Sequence, residues 1–276
     1  MAGSVIGALG MLAPMQSAAR ATLWINGLML VGAARGPAVR ECARVAGIAC
    51  TDTWRRRSSS SIRAETARLK RISDAVDEGK INDIEVMAVN AVGGPEAATY
   101  GEVTPKGFTT IALKMGLGED SHFADLGSGT GKAVMQAASQ FGVAAAVGVE
   151  LSNTRHERAM LGLSRADPML ASTVRFVQAD CAGDAVWAAD GPLCDTTDVW
   201  LCSLLFGPQL MERLAERIAD SLSVERVATL KPFPSGLRGF AMDENAEPCE
   251  MSWTAKLIMP ADEPSGSPVH FYRRIQ

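Results

Sequence analysis

The chain has 276 residues, room for one α/β domain of ordinary size and an extension. Apolar residues make up 47% and charged residues 21%, which excludes a disordered chain. The net charge of −4 excludes a global basic field for nucleic acid or an anionic membrane.

Residues 1–64 differ in kind from the rest: eight arginines, no lysine, and only Glu41 and Asp52 as acids. An Arg-rich, Ser-containing, acid-poor start reads as an organelle transit peptide or as a disordered extension. The apolar stretch Ala21–Ala34 falls short of the roughly 20 residues of a membrane span; a buried or frayed helix, or a mistranslated upstream region, accounts for it equally well. Arg55-Arg56-Arg57 and Ser58–Ser61 read as a linker, with a basic localisation signal as the alternative. The six cysteines form no C-x-x-C pair, and three histidines offer no zinc spacing, so no metal site is expected.

From Ser61, Ile62, Leu69, Ile72 and Val76 share a helical stripe that Gly79 can end. A less regular region leads to the turn Gly93-Gly94-Pro95. The organisation is therefore an N-terminal extension over 1–60, a helical lead-in over 61–98 and a main domain over 99–276.

The main domain alternates helix and strand. A helix over Lys106–Met115 stops at Gly116. Strands follow at His122–Leu126, Ala144–Val149, Thr173–Gln178, Asp198–Cys202 and Arg226–Leu230. Between them lie helices from Gly131 to Phe141, from a capping box at Thr154-x-x-Glu157 to Arg165, and from Pro208 to Ser221. Glu250–Ile258 and Val269–Ile275 read as a closing hairpin. This alternation predicts a mostly parallel sheet with right-handed crossovers, and the hairpin adds an antiparallel strand at its edge.

Asp125-Leu-Gly-Ser-Gly-Thr-Gly-Lys132 leaves an apolar strand and opens a helix, the context of a nucleotide-binding turn. Gly127, Gly129 and Gly131 let backbone approach a ligand. A phosphate loop is excluded, because Gly127 lies only four residues before Gly131 and Ala133 replaces the metal-binding hydroxyl. The dinucleotide pattern fails at Lys132. What remains is G-x-G-x-G preceded by Asp125, the pattern of S-adenosylmethionine turns, where Asp125 can meet an ammonium group. Glu150 closes the second strand, where an acid can accept two ribose hydroxyls. Asp180 follows the third strand, placed for an adenine amino group. Each acid alone reads equally well as a solvated loop carboxylate; together, at successive strand ends, they point to one ligand.

Several motifs then occur in order: Tyr100-Gly101-Glu102, Phe123-Ala-Asp-Leu-Gly-Ser-Gly129, Leu205-Phe206-Gly207-Pro208, Lys231-Pro232-Phe233, Ser252-Trp253-Thr254-x-Lys256 and Pro268-Val269-x-x-Tyr272. In these the chain resembles the disruptor-of-telomeric-silencing (Dot) family of histone H3 lysine methyltransferases. The resemblance implies a Rossmann-like class I methyltransferase fold with a seven-stranded, mostly parallel sheet and a C-terminal antiparallel hairpin. It implies S-adenosyl-L-methionine as cofactor, held by Tyr100, Gly101, Glu102, Asp125, Gly127, Ser128, Gly129, Gly131, Lys132, Glu150 and Asp180.

A lysine nucleophile must be neutral, which favours an apolar or aromatic channel. Phe206, Trp253, Phe271 and Tyr272 are candidate walls, with core packing as the plain alternative. Where the family carries N-N-F beside the reacting methyl, this chain has Cys202-Ser203-Leu204, which makes Ser203 a further catalytic candidate. The implied partner is histone H3 in nucleosomes, without sequence-specific nucleic-acid binding or a membrane, and the implied location is the nucleus. Two alternatives stay open. One is a relative of mitochondrion, plastid or cytosol acting on a non-histone protein; the other is a module that binds cofactor without turnover.

Overall fold

The computed structural model describes residues 21–25, 28–32, 79–254 and 266–275. The chain divides into two units, residues 1–58 and 59–276. In the first, strands β1 (Ala21–Ile25) and β2 (Leu28–Gly32) pair antiparallel, with Ile25 opposite Leu28. This corrects the helix expected there. The strands are separated in sequence by Asn26-Gly27, the dipeptide favoured in two-residue hairpin loops. The stripe from Ile62 to Val76 lies outside the described residues.

In the second unit the first described helix is α1 (Asp83–Gly93), capped by Asn82, whose side chain accepts from Glu85 N–H. Helix α2 (Pro105–Met115) begins with Thr104 as cap and proline in its first turn, and ends at Gly116 in the left-handed conformation. Strand β3 (His122–Leu126) is central, flanked in parallel by β4 (Ala145–Glu150) and β6 (Asp198–Leu201). Burial on both faces explains why Phe123-Ala-Asp-Leu126 is almost continuously apolar.

Strand β5 (Val174–Gln178) lies beyond β4, and β7 (Arg226–Thr229) beyond β6. On the far side β10 (Ser267–Arg274) runs antiparallel to β7. Its outer edge pairs first with β9 (Glu247–Cys249) and then with β8 (Phe240–Met242). The order β5-β4-β3-β6-β7-β10-β8, with β9 as an eighth strand, is the class I methyltransferase arrangement. It has one more strand than the seven expected.

Helices α3 (Lys132–Phe141), α4 (Asn153–Ser164) and α7 (Pro208–Asp220) cover the sheet, with short α5 (Pro168–Thr173) and α6 (Asp184–Trp187) between strands. On one face Phe108 of α2 meets Phe123 and Phe141 edge-on, with ring centroids 5.5 and 6.1 Å away. On the other, Leu214 and Ile218 of α7 join Leu126, Val149, Leu201 and Val227 in one buried cluster. Each such side chain contributes about 1.5–3 kcal/mol on burial.

Two boundaries differ from the sequence reading. Of the expected hairpin strand Glu250–Ile258, the described part, residues 250–254, does not pair with β10, which pairs with β8 and β9 instead; residues 255–258 lie outside the described residues. The chain after β9 turns aside, so that Thr104 N–H donates to Glu250 O and Ser252 N–H to Glu102 O. Helix α4 is capped by Ser152, whose hydroxyl accepts from Arg155 N–H, and not by Thr154. Thr154 instead donates through both its N–H and its hydroxyl to Glu85 of α1.

Candidate active site

Leaving β3, the chain cannot continue straight, because the turn must pass over the end of β4. Gly127, Gly129 and Gly131 take φ of 87°, 55° and 81°, left-handed conformations that side chains with a Cβ resist. The turn is tied down as Gly127 and Ser128 donate to Val149 O (2.9 and 3.1 Å) and Gly129 N–H donates to Glu150 Oε2 (2.8 Å). A Cβ on Gly127 would sit 2.9 Å from Phe206, and one on Gly129 would sit 3.0 Å from Tyr100. Gly131 differs: a Cβ there would strike Phe176 at 2.3 Å, and the residue is absent from the cavity wall. It serves helix–sheet packing rather than the expected ligand contact.

Beside this turn lies a cavity of about 310 Å³ at the C-terminal ends of β3, β4, β5 and β6. Open parallel sheets bind ligands at this edge, where strand order reverses. Tyr100, Gly101, Glu102, Asp125, Gly127, Ser128, Gly129, Lys132, Glu150 and Asp180 all line it.

Glu150 is buried, with Oε1 accepting from Ser152 N–H and Oε2 from Gly129 N–H, both at 2.8 Å. Each oxygen keeps a lone pair for a further donor. Asp125 is 4% exposed, and its Oδ1 has no hydrogen-bond partner among the described residues. Burial, and then the charge of Glu150, push its carboxyl up to about 8. A buried acid without a partner is costly, and a cationic ligand would relieve it. Asp180 is more engaged: Oδ1 accepts from Ala182 N–H at 2.9 Å, and Oδ2 pairs with Arg213.

A cover crosses one side of the cavity, formed by α1 and the segment to Glu102, with Val89, Val92, Gly93 and Ala97 in the wall. Tyr100 donates its hydroxyl to Glu102 Oε2 (2.7 Å) and shares a hydrogen bond with Thr130 (3.0 Å). The other oxygen of Glu102 pairs with Lys132 Nζ at 2.5 Å. The three polar residues of the cover and turn thus neutralise one another at the rim.

Cys202, Leu204, Phe206 and Trp253 also line the cavity, with Phe206 directly beside Gly127. Trp253 packs on Gly101, where a Cβ would approach its ring to 2.6 Å, and its indole N–H donates to Ser267 Oγ at 3.0 Å. Phe206 sits in the loop after β6, where Lys231 Nζ donates to its carbonyl at 2.7 Å. Cys202 Sγ faces Gly101 O at 3.7 Å, and burial holds the thiol far above its ordinary range, so it stays protonated.

Three further candidates, Ser203, Tyr272 and Phe271, do not line the cavity. Ser203 is fully buried away from the cavity; its hydroxyl bonds Thr229 Oγ1 at 2.6 Å and accepts from Lys231 N–H at 3.1 Å. Directly after a strand, neighbouring side chains point opposite ways, so Cys202 faces the cavity and Ser203 the sheet end. Tyr272 lies within β10 and packs edge-on to Phe233 (5.5 Å), its hydroxyl accepting from Phe233 N–H. Phe271 is buried on the other face, under Lys114. Both rings are core, because β10 lies four strands from β4.

Cys202, which the resemblance set beside the reacting methyl, lines the cavity, as do Leu204 and Arg155, which were not expected there. Strand alternation after Leu201 could have found Leu204. Nothing local marks Arg155, whose partners lie more than fifty residues away.

A family model for histone methylation protein DOT1 matches residues 91–265, more than half of the chain. A histone-lysine N-methyltransferase of Kluyveromyces lactis, H3 lysine-79 specific, is 41% identical over 64 residues. That match covers 23% of this chain and spans 11% of the relative's length. Among solved structures, an RNA methyltransferase from Salinibacter ruber with bound S-adenosyl-L-homocysteine is 19% identical, with TM-score 0.40, over 61% of this chain and 90% of that one. TrmK from M. capricolum, with S-adenosyl-homocysteine, is 10% identical, with TM-score 0.45, over 61% of this chain and 68% of that one.

Proposed function

We propose, from the premise that this chain belongs to the DOT1 family of histone methylation proteins, that it methylates a lysine of histone H3 using S-adenosyl-L-methionine. The observation that carries this reading is one cavity whose wall holds Asp125, Glu150 and the turn glycines together with Leu204, Phe206 and Trp253.

The residues fit that cofactor. Oδ1 of buried Asp125 has no hydrogen-bond partner among the described residues, which leaves it open to an ammonium group, and each Glu150 oxygen, accepting one backbone N–H, has a second lone pair for a ribose diol. The turn glycines leave no Cβ in the way. Asp180 lies at the cavity edge for an adenine amino group, steadied by Arg213. Tyr100, Gly101, Glu102, Ser128 and Lys132 would close the methionine end. When bound, the cofactor supplies an electrophilic methyl group.

The chain's own residues do the rest. Phe206, Leu204 and Trp253 exclude water around the incoming amine and favour its neutral, nucleophilic form. Cys202 remains a neutral thiol and is no general base, so the proton leaves with solvent outside the apolar wall. Catalysis of an in-line displacement rests chiefly on holding the two reactants in register.

The acceptor is proposed to be nucleosomal H3, with the nucleus as the place of action. The test is transfer of a labelled methyl group into nucleosomes, free H3 and a whole-cell lysate, with the modified residue located by mass spectrometry. Label on an H3 lysine supports the reading. Label confined to a lysate protein identifies a non-histone acceptor, and no label despite cofactor binding marks a module without turnover.

A further inference from the structure

We propose that Arg155 is a positioning residue that holds residues 79–102 closed over the cofactor end of the cavity; this rests on the cofactor reading above. Arg155 sits in the first turn of α4, five residues after Glu150, and is 5% exposed. A guanidinium is rarely buried without several partners, since desolvation costs several kcal/mol per ion. Among the described residues its side-chain hydrogen bonds go to the cover, while the Glu150 carboxylate is the foremost charge beside it. Nε donates to Gly79 O at 2.8 Å, a terminal nitrogen donates to Ala98 O, and the guanidinium lies 5.0 Å from the centroid of the Tyr100 ring.

From Tyr100 the chain of contacts returns to the ligand turn. The tyrosine hydroxyl bonds Glu102 and Thr130, and its ring lies against Gly129. Arg155, Tyr100 and Gly129 line the same cavity. One side chain therefore fixes both ends of the cover, at Gly79 and Ala98, and the aromatic wall between the cover and the glycine turn. Glu85 adds a second tie from α1 to the start of α4, accepting from Ser152 and Thr154. That tie holds the helix, whereas Arg155 holds the wall that meets the ligand.

The test is calorimetric titration of S-adenosyl-L-methionine into the full chain and into Arg155→Ala and Arg155→Lys, with amide hydrogen exchange on each. Loss of charged hydrogen bonds predicts cofactor binding about tenfold weaker in Arg155→Ala. Exchange should accelerate across residues 79–102 and stay unchanged in β3 to β7. Arg155→Lys, which can still reach one carbonyl, should recover part of the affinity and of the protection. If Arg155→Ala does not fold, Arg155→Lys decides alone: an affinity between wild type and a threefold loss with uniform exchange overturns the proposal. Wild-type affinity in Arg155→Ala also overturns it. Failure of the wild type itself to bind cofactor instead overturns the functional reading on which it rests.

Discussion

Asp125 concentrates the electrostatics of the site. Its carboxyl is raised from 3.8 to about 8, by burial first and by Glu150 second. A raised acid adds stability below its unfolded value and loses it as pH climbs through the folded one, so the ligand-free protein should weaken between pH 4 and 8. Asp125→Asn should flatten that slope in thermal melts and raise the melting temperature near pH 8, while losing cofactor binding. In the wild type, binding an ammonium group should release a proton, so affinity should rise between about pH 6 and 7.5, below the range where an α-amino group itself titrates. Equal affinity across that range would place the cation elsewhere. The contrast between Trp253 and Ser203 is equally direct. Trp253→Ala should lower methyl transfer at least about tenfold, some 1.4 kcal/mol of transition-state stabilisation, with cofactor affinity within a few-fold. Ser203→Ala should cost about 1–3 kcal/mol in denaturant unfolding, because Thr229 and Lys231 lose a buried partner, yet leave activity per folded molecule intact. The acids at the strand ends were legible because each strand announced its own end. The two faces of Cys202-Ser203 were not, because the motif resemblance carried the pair without its orientation.

At the scale of elements, strand β3 and helices α2, α3 and α7 were readable within about a residue, since each has a glycine, proline or cap at its end. Helix α1 was passed over as irregular, although Asn82-x-x-Glu85 is a capping pattern, with Asn82 Nδ2 donating to Glu85 Oε2 at 3.0 Å. Glu85 then reaches across to α4, which no local pattern could reveal. Burial would raise its carboxyl, but the hydrogen bonds of Thr154 and Ser152 outweigh that and hold it below its ordinary value. A depressed acid contributes stability above its unfolded value and loses it as pH falls through the folded one. Glu85→Ala should therefore cost about 1 kcal/mol, as a lost helix cap does, in urea unfolding at pH 7. The deficit should shrink toward pH 4. A deficit that stays constant with pH would mean that the carboxylate charge plays no part in the tie. The C-terminal hairpin was misplaced for a related reason: residues 250–252 bond to residues 102–104, far away in sequence, and the proline-bearing Glu247–Cys249 takes the edge beside β10 instead.

For the whole molecule, alternation of strand and helix was enough to predict the parallel sheet, and an antiparallel strand at its C-terminal edge follows from the closing apolar run. What alternation could not supply is the assembly of one cavity from the cover, four strand ends and the loop at Trp253. The proposal that this cavity binds S-adenosyl-L-methionine through Glu150 and the glycine turn is tested most directly by calorimetric titration of the cofactor into the wild type and Glu150→Ala. Saturable binding by the wild type and a loss of about 1.5–3 kcal/mol in the variant are expected, the scale of hydrogen bonds to a charged group. Wild-type affinity in Glu150→Ala, or no binding by either protein, would contradict it.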